Sequence, residues 1–508
     1  MRLFAPTQAL AAVLALAAAA TGEPETKPRN LIFILPDGYG PASETMARDY
    51  YNHVHNETTI LPVDEMAVGL VRTKASDTLV TDSAASATAY SCGIKTYNGA
   101  IGVDDEVRPC GTVLEAAKLA GYTTGMVVTS RITHASPAGF AAHVHHRDHE
   151  AAIAEQLVGY SHPLGPVVDL MMGGGRCYFL PQSEPKSCRS DDLDLLTYAH
   201  NEGFTIGTTR EDFDELQCGA VGQLPYMFLP SMGHLDFEAD RRADREPSLS
   251  EMAKTAIAWL ERESAGNDRG FFLFIEASRI DHAAHMHDPV GHVHDIFEYN
   301  KVMLEVREYV ESRDDTTLVS AADHECGGLT LGVPDYAWHP HALASSSHSA
   351  AYYGSLWDEY VAQGRSDDDK RRLLVERIFR EYGIKSPTEE EILTTIAATS
   401  LTIALGELLS ARAGIHWSTL GHTAVDITLF AAGVNHHKLY GSWENIQLGQ
   451  WMAAQLCVDT EDATVRLNSN ATFLESIQPS EPNGTHHDHD HSFMLARDHE
   501  RYDDVRRH

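Results

Sequence analysis

Short apolar segments alternating with helical patterns constrain the fold of this chain more than any other feature. Five segments have the length and composition of buried parallel strands: residues 30–36 (NLIFILP), 123–129 (TTGMVVT), 271–275 (FFLFI), 316–321 (TTLVSA) and 425–431 (VDITLFA). Helical patterns lie between them, at residues 112–120, 249–263 and 293–312. The alternation predicts an α/β fold with one doubly wound, mostly parallel sheet and helices on both faces.

Polar side chains follow the ends of these predicted strands. They include Asp37, Glu276 and the pair Asp323–His324, and ligands bind at the carboxyl ends of strands in doubly wound sheets. Because the strands span most of the chain, we predict one large domain over residues 23–474. Residues of about 335–421 interrupt the pattern with a Ser/His/Tyr-rich loop and charged helices, which predicts a crown-like insertion above the sheet.

The two ends of the chain differ from this pattern. Residues 1–22 join Arg2, an apolar run and a small-residue cleavage site, which predicts a secretory signal peptide. Residues 475–508 are polar and rich in His and Asp, which predicts a disordered tail. No later run of about 18 apolar residues occurs, so we predict no membrane anchor. Three glycosylation acceptors agree with export: Asn56, Asn470 and Asn483.

The chain contains seven cysteines, and none of them forms a CxxC pattern. In an exported protein, Cys92 with Cys110 and Cys177 with Cys188 are candidate disulfides, although the sequence leaves the pairing open. We expect the odd cysteine to be a buried free thiol.

Acidic residues outnumber basic ones, and the formal net charge is −34. This balance excludes a nucleic-acid-binding surface. It also repels anionic substrates at long range, so any phosphate site must carry positive charge of its own, from metal ions or arginine.

The segment VTDSAASATAY, residues 80–90, predicts a helix of small residues that begins near Ser83. Asp82 or Thr81 can cap it, and the Ala/Ser run allows close approach to another backbone. Ser83 would face exposed N–H groups and the positive end of the helix dipole, where a phosphate binds well. On these residues alone, a tightly packed helix with Ser83 as a simple cap is equally consistent.

Asp281 and His285 are four residues apart after a predicted strand, so on a helix they share one face and can bind one metal ion. The pair Asp323–His324 ends the next strand, and His422 precedes the last one. Oxygen and imidazole ligands without thiolates favour zinc in an open, catalytic site. For any single histidine among the 29 in the chain, a surface role is the alternative.

Seven segments together resemble the alkaline phosphatase family, and within it the fungal-type eukaryotic members. They run in the family's order from Asp37 to about residue 457: LPDGYG, VTDSAASATAY, KTYNGAIGVD, ITHASPAGFAAHVHHR, IEASRIDHAAH, ADHECGGLTLG and GHTAVDI. The resemblance implies hydrolysis of phosphate monoesters through a covalent phosphoserine, with an alkaline optimum and broad specificity. It also implies a homodimer.

The resemblance also implies roles for individual residues. Ser83 would be the nucleophile, and Arg147 would grip two phosphate oxygens. The metal ligands would be Asp281, His285 and His422 for one zinc ion, Asp37, Asp323 and His324 for a second that also touches Ser83, and Asp37, Ser136 and Glu276 for one magnesium ion.

Three further residues are expected just behind these groups: Asp82, His134 and His282. His134 stands where bacterial members carry an Asp near magnesium, and His282 replaces a Lys beside the phosphate. Both departures resemble the animal-type variant. Cys326 follows His324 by two residues, and we expect a structural thiol there because the implied metal shells are complete without sulfur.

Two other functions are compatible with parts of this pattern. A phosphodiesterase or sulfatase could share the fold and metal sites, but Arg147 and a serine nucleophile argue against both. The other alternative is a catalytically inactive protein that binds metal or polyphosphate. The presence of every expected ligand argues against it. We expect a secreted or cell-wall enzyme, with a vacuole as another possible destination.

Overall fold

The computed structural model describes residues 27–479. The predicted signal peptide, the acceptor Asn483 and most of the predicted tail lie outside this range. Among the described residues, no helix is both long and apolar enough to cross a bilayer.

A ten-stranded sheet forms the centre of the protein, with strand order β14-β2-β13-β8-β1-β7-β3-β4-β6-β5. Its strands are β1 (Asn30–Pro36), β2 (Ala67–Arg72), β3 (Thr123–Arg131), β4 (Leu170–Gly174), β5 (Thr205–Gly207), β6 (Tyr226–Phe228), β7 (Phe271–Ala277), β8 (Thr316–Ala321), β13 (Ile427–Gly433) and β14 (Gly441–Glu444). Two small two-stranded sheets pair β9 (Glu325–Cys326) with β12 (His422–Thr423) and β10 (Leu329–Leu331) with β11 (Ile415–Trp417).

Helices connect and cover these strands. In the main body they are α1 (Pro41–His55), α2 (Ser83–Cys92), α3 (Val113–Leu119), α4 (Ala135–Ala141), α5 (Glu150–Leu157), α6 (Leu195–Asn201), α7 (Arg210–Asp214), α8 (Leu249–Ser264), α9 (Arg279–His285) and α10 (Pro289–Glu311). Later in the chain they are α11 (Ala350–Ala362), α12 (Asp367–Leu373), α13 (Phe379–Tyr382), α14 (Glu389–Ala397), α15 (Leu401–Ala413), α16 (Asn445–Leu456), α17 (Thr460–Asn468) and α18 (Ala471–Ser476).

The predicted fold class is confirmed, with one strand reversed. All five predicted strands are present, and β1 and β7 are buried along their whole length. However, β13 runs antiparallel to both β8 and β2, and it was expected to be parallel. The reversal brings the start of β13 to the edge where the parallel strands end, because Leu429 pairs with Ala321. His422 therefore reaches the carboxyl edge although it precedes its strand.

The predicted helices are also present, with small differences in their bounds. Thr112 caps α3 in a capping box with Glu115, and Ser248 caps α8 in the same way with Glu251. Helix α10 begins four residues before the predicted start, because Asp288 caps it and a proline at the first helical position needs no hydrogen-bonded N–H.

Residues of about 335–421 form a helical excursion from the main body. Its base is the antiparallel pair β10–β11, in which Leu329 faces Trp417. Two buried aspartates of the main body tie it down: Asp288 accepts from Tyr382 Oη at 3.0 Å, and Asp240 accepts from the Ser349 amide at 2.9 Å. The β10–β11 pair and these two hydrogen bonds fix residues 335–421 against the main body.

Near the carboxyl terminus, helical structure extends slightly further than predicted. Helix α18 ends at Ser476, and Ile477 is buried. The tail boundary at about residue 474 was therefore too early, because Phe473 and Ile477 pack with Leu467 in a small apolar cluster.

Both candidate disulfides are present, Cys92–Cys110 and Cys177–Cys188. Three cysteines remain free in the described range, and only Cys326 is buried. The expectation of a single buried thiol was wrong in number, because Cys218 and Cys457 lie exposed without partners for a disulfide.

Candidate active site

The carboxyl ends of three adjacent strands gather the first group of predicted ligands. Strands β8, β1 and β7 are neighbours in the sheet, and Asp323, Asp37 and Glu276 lie at their ends. All three side chains are fully buried. Parallel strands that end at one edge bring their following residues together, which is why positions far apart in sequence form one site.

Asp37, Asp323 and His324 form one compact cluster. His324 Nε2 lies 3.0 Å from Asp323 Oδ2 and 3.8 Å from Asp37 Oδ1. Gly38 adopts φ +72°, and a Cβ atom there would lie 2.8 Å from the Asp281 Cα atom. The turn after β1 thus requires glycine so that Asp37 can approach helix α9.

Asp281, His285 and His422 form a second cluster beside the first. His285 Nε2 lies 3.1 Å from Asp281 Oδ2 and 3.2 Å from His422 Nε2. His285 Nδ1 hydrogen-bonds the Leu420 carbonyl, and His422 Nδ1 lies 3.0 Å from the Thr81 carbonyl. Carbonyls accept hydrogen bonds, so each Nδ1 carries a proton, and Nε2 is the ring nitrogen that faces the cluster.

The two clusters share a wall formed by stacked imidazoles. The rings of His324 and His422 are 3.4 Å apart between centroids, with an interplanar angle of 18°. Two ions held by the clusters would therefore be close neighbours.

Ser83 is the first residue of helix α2, next to both clusters. Its Oγ lies 3.3 Å from His324 Nε2, and the side chain is buried. Asp82, rather than Thr81, caps the helix by accepting from the Ala85 amide at 2.9 Å. The small residues of α2 allow close packing on α4, where a Cβ on Gly139 would lie 2.8 Å from Ala87 Cβ.

Arg147 lies on the other side of Asp82 and is held in place by two contacts. Its Nη1 lies 3.1 Å from Asp82 Oδ2, and its Nη2 lies 3.3 Å from His134 Nε2. The Gly99 amide also donates to Asp82 Oδ2 at 3.0 Å. Asp82 therefore connects the start of helix α2 with the orientation of the guanidinium.

Glu276 forms the centre of the predicted magnesium position. Its Oε2 accepts from Ser130 Oγ at 2.9 Å and from Ser278 Oγ at 2.6 Å, and Ser136 lies beside it. Burial raises the pKa of Glu276 to about 7. Hydroxyl groups and a carboxylate are the oxygen ligands that magnesium prefers.

The residues at this edge fit divalent cations. Both carboxylate oxygens of Asp37, together with Asp323 Oδ2 and Glu276 Oε1, accept no hydrogen bond from any residue in the range 27–479. Burial and the neighbouring carboxylates raise the pKa of Asp37 well above its usual range. Unpaired buried carboxylates are costly, and cations would relieve both the repulsion and the missing bonds.

Imidazoles dominate the electrostatics of the second cluster. Burial alone would raise the pKa of Asp281, but His285, His422 and His324 hold it well below its usual range. Asp281 therefore stays ionised beside three nitrogen donors, as a metal ligand must.

His134 and His282 lie together near Arg147, as expected, and a third histidine joins them. The ring centroids of His134 and His282 are 5.3 Å apart, and those of His234 and His282 are 4.4 Å apart. Burial and the nearby Arg147 and Arg131 cations lower the pKa of His134 well below its usual range.

Sequence reasoning missed two residues around the site, Arg279 and His234, and gave a third, Cys326, a structural role. Arg279 Nη1 lies 2.7 Å from His282 Nδ1, and its position three residues earlier on a helix could have suggested this contact. His234 carries no local signal, since a loop distant in sequence supplies it. Cys326 was noticed but not expected among the metal-ligand side chains, where the structure brings it.

Two of the glycosylation acceptors lie at helix ends. Asn56 follows α1 in a left-handed conformation, φ 51°, and Asn470 caps α18 by accepting from the Phe473 amide. Both are exposed at the surface.

Comparison with known proteins agrees with this geometry. The family model described as alkaline phosphatase matches residues 28–458. An alkaline phosphatase of Schizosaccharomyces pombe is 43% identical over 470 residues, covering 89% of this chain and 86% of the relative. The repressible alkaline phosphatase of Saccharomyces cerevisiae is 40% identical over 470 residues, covering 86% and 83%.

Solved structures show the same fold. The cold-active alkaline phosphatase of a psychrophilic Shewanella superposes with a TM-score of 0.72 at 28% identity, covering 84% of this chain and 99% of that one. A mutant of TAB5 alkaline phosphatase with Mg bound in its M3 site gives a TM-score of 0.62 at 25% identity, covering 86% of this chain and 100% of that one. The chain is therefore an enzyme that belongs to the alkaline phosphatase family.

Proposed function

We propose that this enzyme hydrolyses phosphate monoesters through a covalent phosphoserine on Ser83, with two zinc ions and one magnesium ion per chain. The observation that carries the proposal is the position of Ser83 Oγ, 3.3 Å from His324 Nε2, between the ligand clusters and the Arg147–Asp82 pair. A nucleophile, paired cation sites and a guanidinium are what phosphoryl transfer requires.

The proposed ligand sets follow the clusters. Asp281, His285 and His422 would hold one zinc ion, and Asp37, Asp323 and His324 would hold the other. Asp37, Ser136 and Glu276 would hold magnesium, and the Mg bound in a TAB5 enzyme supports a third site. When bound, the ions would neutralise phosphate charge, lower the pKa of a coordinated hydroxyl or water, and stabilise the leaving oxygen.

The protein's own groups position the reaction. Ser83 Oγ loses its proton and forms a bond to phosphorus while the ester oxygen leaves as the alcohol. Water then cleaves the phosphoserine, releasing inorganic phosphate and restoring the hydroxyl. Arg147 would bind two phosphate oxygens through the hydrogens that Asp82 and His134 leave unused.

The proposal includes an anionic substrate and an alkaline optimum, and the charge of the chain determines where the attraction for that substrate must arise. With a net charge of −34, attraction must come from the ions and Arg147 at the site itself. We further propose broad specificity, since the alcohol part of the substrate is not needed for these contacts.

Export, assembly and location are part of the same proposal. The predicted signal peptide over residues 1–22, together with two disulfides and the exposed Asn56 and Asn470, supports a secreted or cell-wall glycoprotein, or a vacuolar one. A homodimer follows from the family resemblance.

The first test is hydrolysis of p-nitrophenyl phosphate between pH 6 and 10.5, with and without a chelator, together with metal analysis. Alkaline, chelator-sensitive turnover with about two zinc ions per chain is expected. Ser83→Ala should nearly abolish turnover and leave metal content intact.

The matched control is Ser91→Ala. Ser91 lies on the same helix, and its buried hydroxyl donates to the Gly139 carbonyl at 2.5 Å. The Ser91→Ala enzyme should therefore keep the turnover of the native enzyme. Full activity of Ser83→Ala would contradict the mechanism. Bound metal without monoester hydrolysis would point to a diesterase or sulfatase.

A further inference from the structure

Cys326 lies inside the Asp281–His285–His422 cluster. Its Sγ, a carboxylate oxygen of Asp281 and a ring nitrogen of each histidine all lie within 4.8 Å of one another. The thiol therefore belongs to a group of four metal-ligand side chains, although sequence reasoning assigned it a structural role.

The backbone places this sulfur on the ligand side. Cys326 on β9 pairs with His422 on β12 in an antiparallel ladder, and the two are direct Cα partners. Directly opposite residues in such a ladder project to the same face of the sheet. The Cys326 amide donates to the Gly38 carbonyl at 3.3 Å, which ties this strand to the turn after Asp37.

The neighbouring donor atoms have capacity for a cation. Both histidines use Nδ1 on backbone carbonyls, as described above, and so direct Nε2 toward the cluster. Asp281 Oδ1 accepts no hydrogen bond within the described part of the chain. The thiol lies 3.7 Å from the Gly421 carbonyl oxygen, a weak contact that ligation would replace. Cys326 itself is fully buried.

We propose that Cys326 is a fourth protein ligand, through sulfur, of the ion held by Asp281, His285 and His422. The inference rests on the proposed function, because that function supplies the ion. Coordination replaces the thiol proton, which leaves to solvent, and no oxidation state changes. A sulfur ligand favours zinc over magnesium or manganese, and a fifth position can still accept phosphate, as catalytic zinc sites expand their coordination.

The test uses cobalt as a coloured substitute for zinc. In a Cys218→Ser, Cys457→Ser background, Cys326 is the only free thiol in residues 27–479. Loading with Co²⁺ should give a strong near-ultraviolet sulfur-to-cobalt charge-transfer band. Adding Cys326→Ser should remove the band and let a chelator extract one zinc ion at about 10- to 100-fold lower concentration.

A second measurement needs no further substitution. X-ray absorption at the zinc edge of the background protein should show a zinc–sulfur distance of about 2.3 Å. Two bound ions with neither the band nor this distance would overturn the inference, and intact phosphatase activity would show that the proposed function stands. A band that survives Cys326→Ser would also overturn it. A chain that binds no ion would overturn both proposals together.

Discussion

Two of the clusters of imidazoles and carboxylates within residues 27–479 bear comparison, and only one of these two has the properties of a metal site. The open cluster is Asp281, His285 and His422, and the closed cluster is Glu115, His143 and His162. Each brings three potential ligand atoms within 4.8 Å. Residue type, spacing and burial do not separate them, so the difference lies in their hydrogen bonds.

In the closed cluster both carboxylate oxygens already accept hydrogen bonds. Glu115 Oε2 accepts from the Thr112 amide at 2.7 Å, and Glu115 Oε1 lies 2.8 Å from His143 Nε2 and 2.9 Å from His162 Nε2. The Leu164 amide donates to His162 Nδ1 at 3.1 Å, so the proton of His162 is on Nε2. His162 thus points a hydrogen, and not a lone pair, at the carboxylate.

His143 completes the closed arrangement as a cation. Its Nδ1 lies 2.6 Å from the Gly102 carbonyl while its Nε2 faces Glu115, and two acceptors require two protons. Burial alone would lower the pKa of His143, but the Glu115 carboxylate raises it. The closed cluster is a buried ion pair whose carboxylate accepts hydrogen bonds at both oxygens, whereas Asp281 Oδ1 of the open cluster accepts none from any residue in the range 27–479. The unfilled carboxylate oxygen therefore distinguishes the metal site from the structural pair.

The largest effect should follow a change in the open cluster. Asp281→Asn keeps the side-chain shape but removes the charge, so one zinc ion per chain should be lost. Turnover should fall by about 10³-fold or more, since a metal ion supplies several kcal/mol of transition-state stabilisation. Metal analysis and p-nitrophenyl phosphate hydrolysis measure both. Unchanged zinc content would remove Asp281 from the ligand set.

The matching change in the closed cluster should affect stability instead. Glu115→Gln leaves the His143 cation buried without its partner, and removing one member of a buried pair costs about 3–5 kcal/mol. Denaturant unfolding should show this loss, while metal content and the kcat of the folded enzyme stay unchanged. Loss of one ion per chain would instead make the closed cluster a metal site.

The pH dependence of that stability difference follows from the two pKa shifts. Although burial opposes it, the histidines lower the pKa of Glu115, so its contribution is present above about pH 4.3 and is lost only as pH falls through the lowered value. The raised pKa of His143 gives a contribution that is complete below about pH 6.5 and is lost as pH rises through the folded value. Burial lowers the pKa of the facing His162, which stays neutral in this range.

The difference in unfolding free energy between the native chain and Glu115→Gln should therefore be larger at pH 6 than at pH 9. An equal difference at both values would mean that His143 is neutral.

The sequence predicted the sheet because its strands are continuous apolar runs, and it predicted that Asp37, Glu276 and Asp323 lie at one edge because they come at the ends of those strands. The antiparallel direction of β13 could not be predicted, since residues 425–431 are as apolar as a parallel strand and pairing is a long-range property. The cap Asp82 was one of two candidates, and only its hydrogen bond from the Ala85 amide decides for it.

The closed cluster shows where sequence reasoning ends. Glu115, His143 and His162 occur in three separate segments, and no spacing connects them. Cys326 was visible in ADHECGGLTLG, but its place beside His422 depends on a ladder between two-residue strands, too short to leave a periodic signal. Arg279 contacts His282 within one helix and was the one missed partner that spacing could have predicted.

The smallest effect is expected at the third position, where Ser136 lies beside Glu276. Ser136 is fully buried, and Glu276 keeps its bonds to Ser130 and Ser278 without it. In Ser136→Ala the proposed carboxylate ligands Asp37 and Glu276 remain. Magnesium should therefore bind about tenfold more weakly, a loss of affinity typical of removing one group that supports a metal site. Titration of magnesium against turnover should show a shifted midpoint and a nearly unchanged plateau. Ser91→Ala, with an equally buried hydroxyl on helix α2, should leave the midpoint in place. A lowered plateau that excess magnesium cannot restore would mean that Ser136 acts on the reacting groups, and the third position would then belong with the open cluster in function.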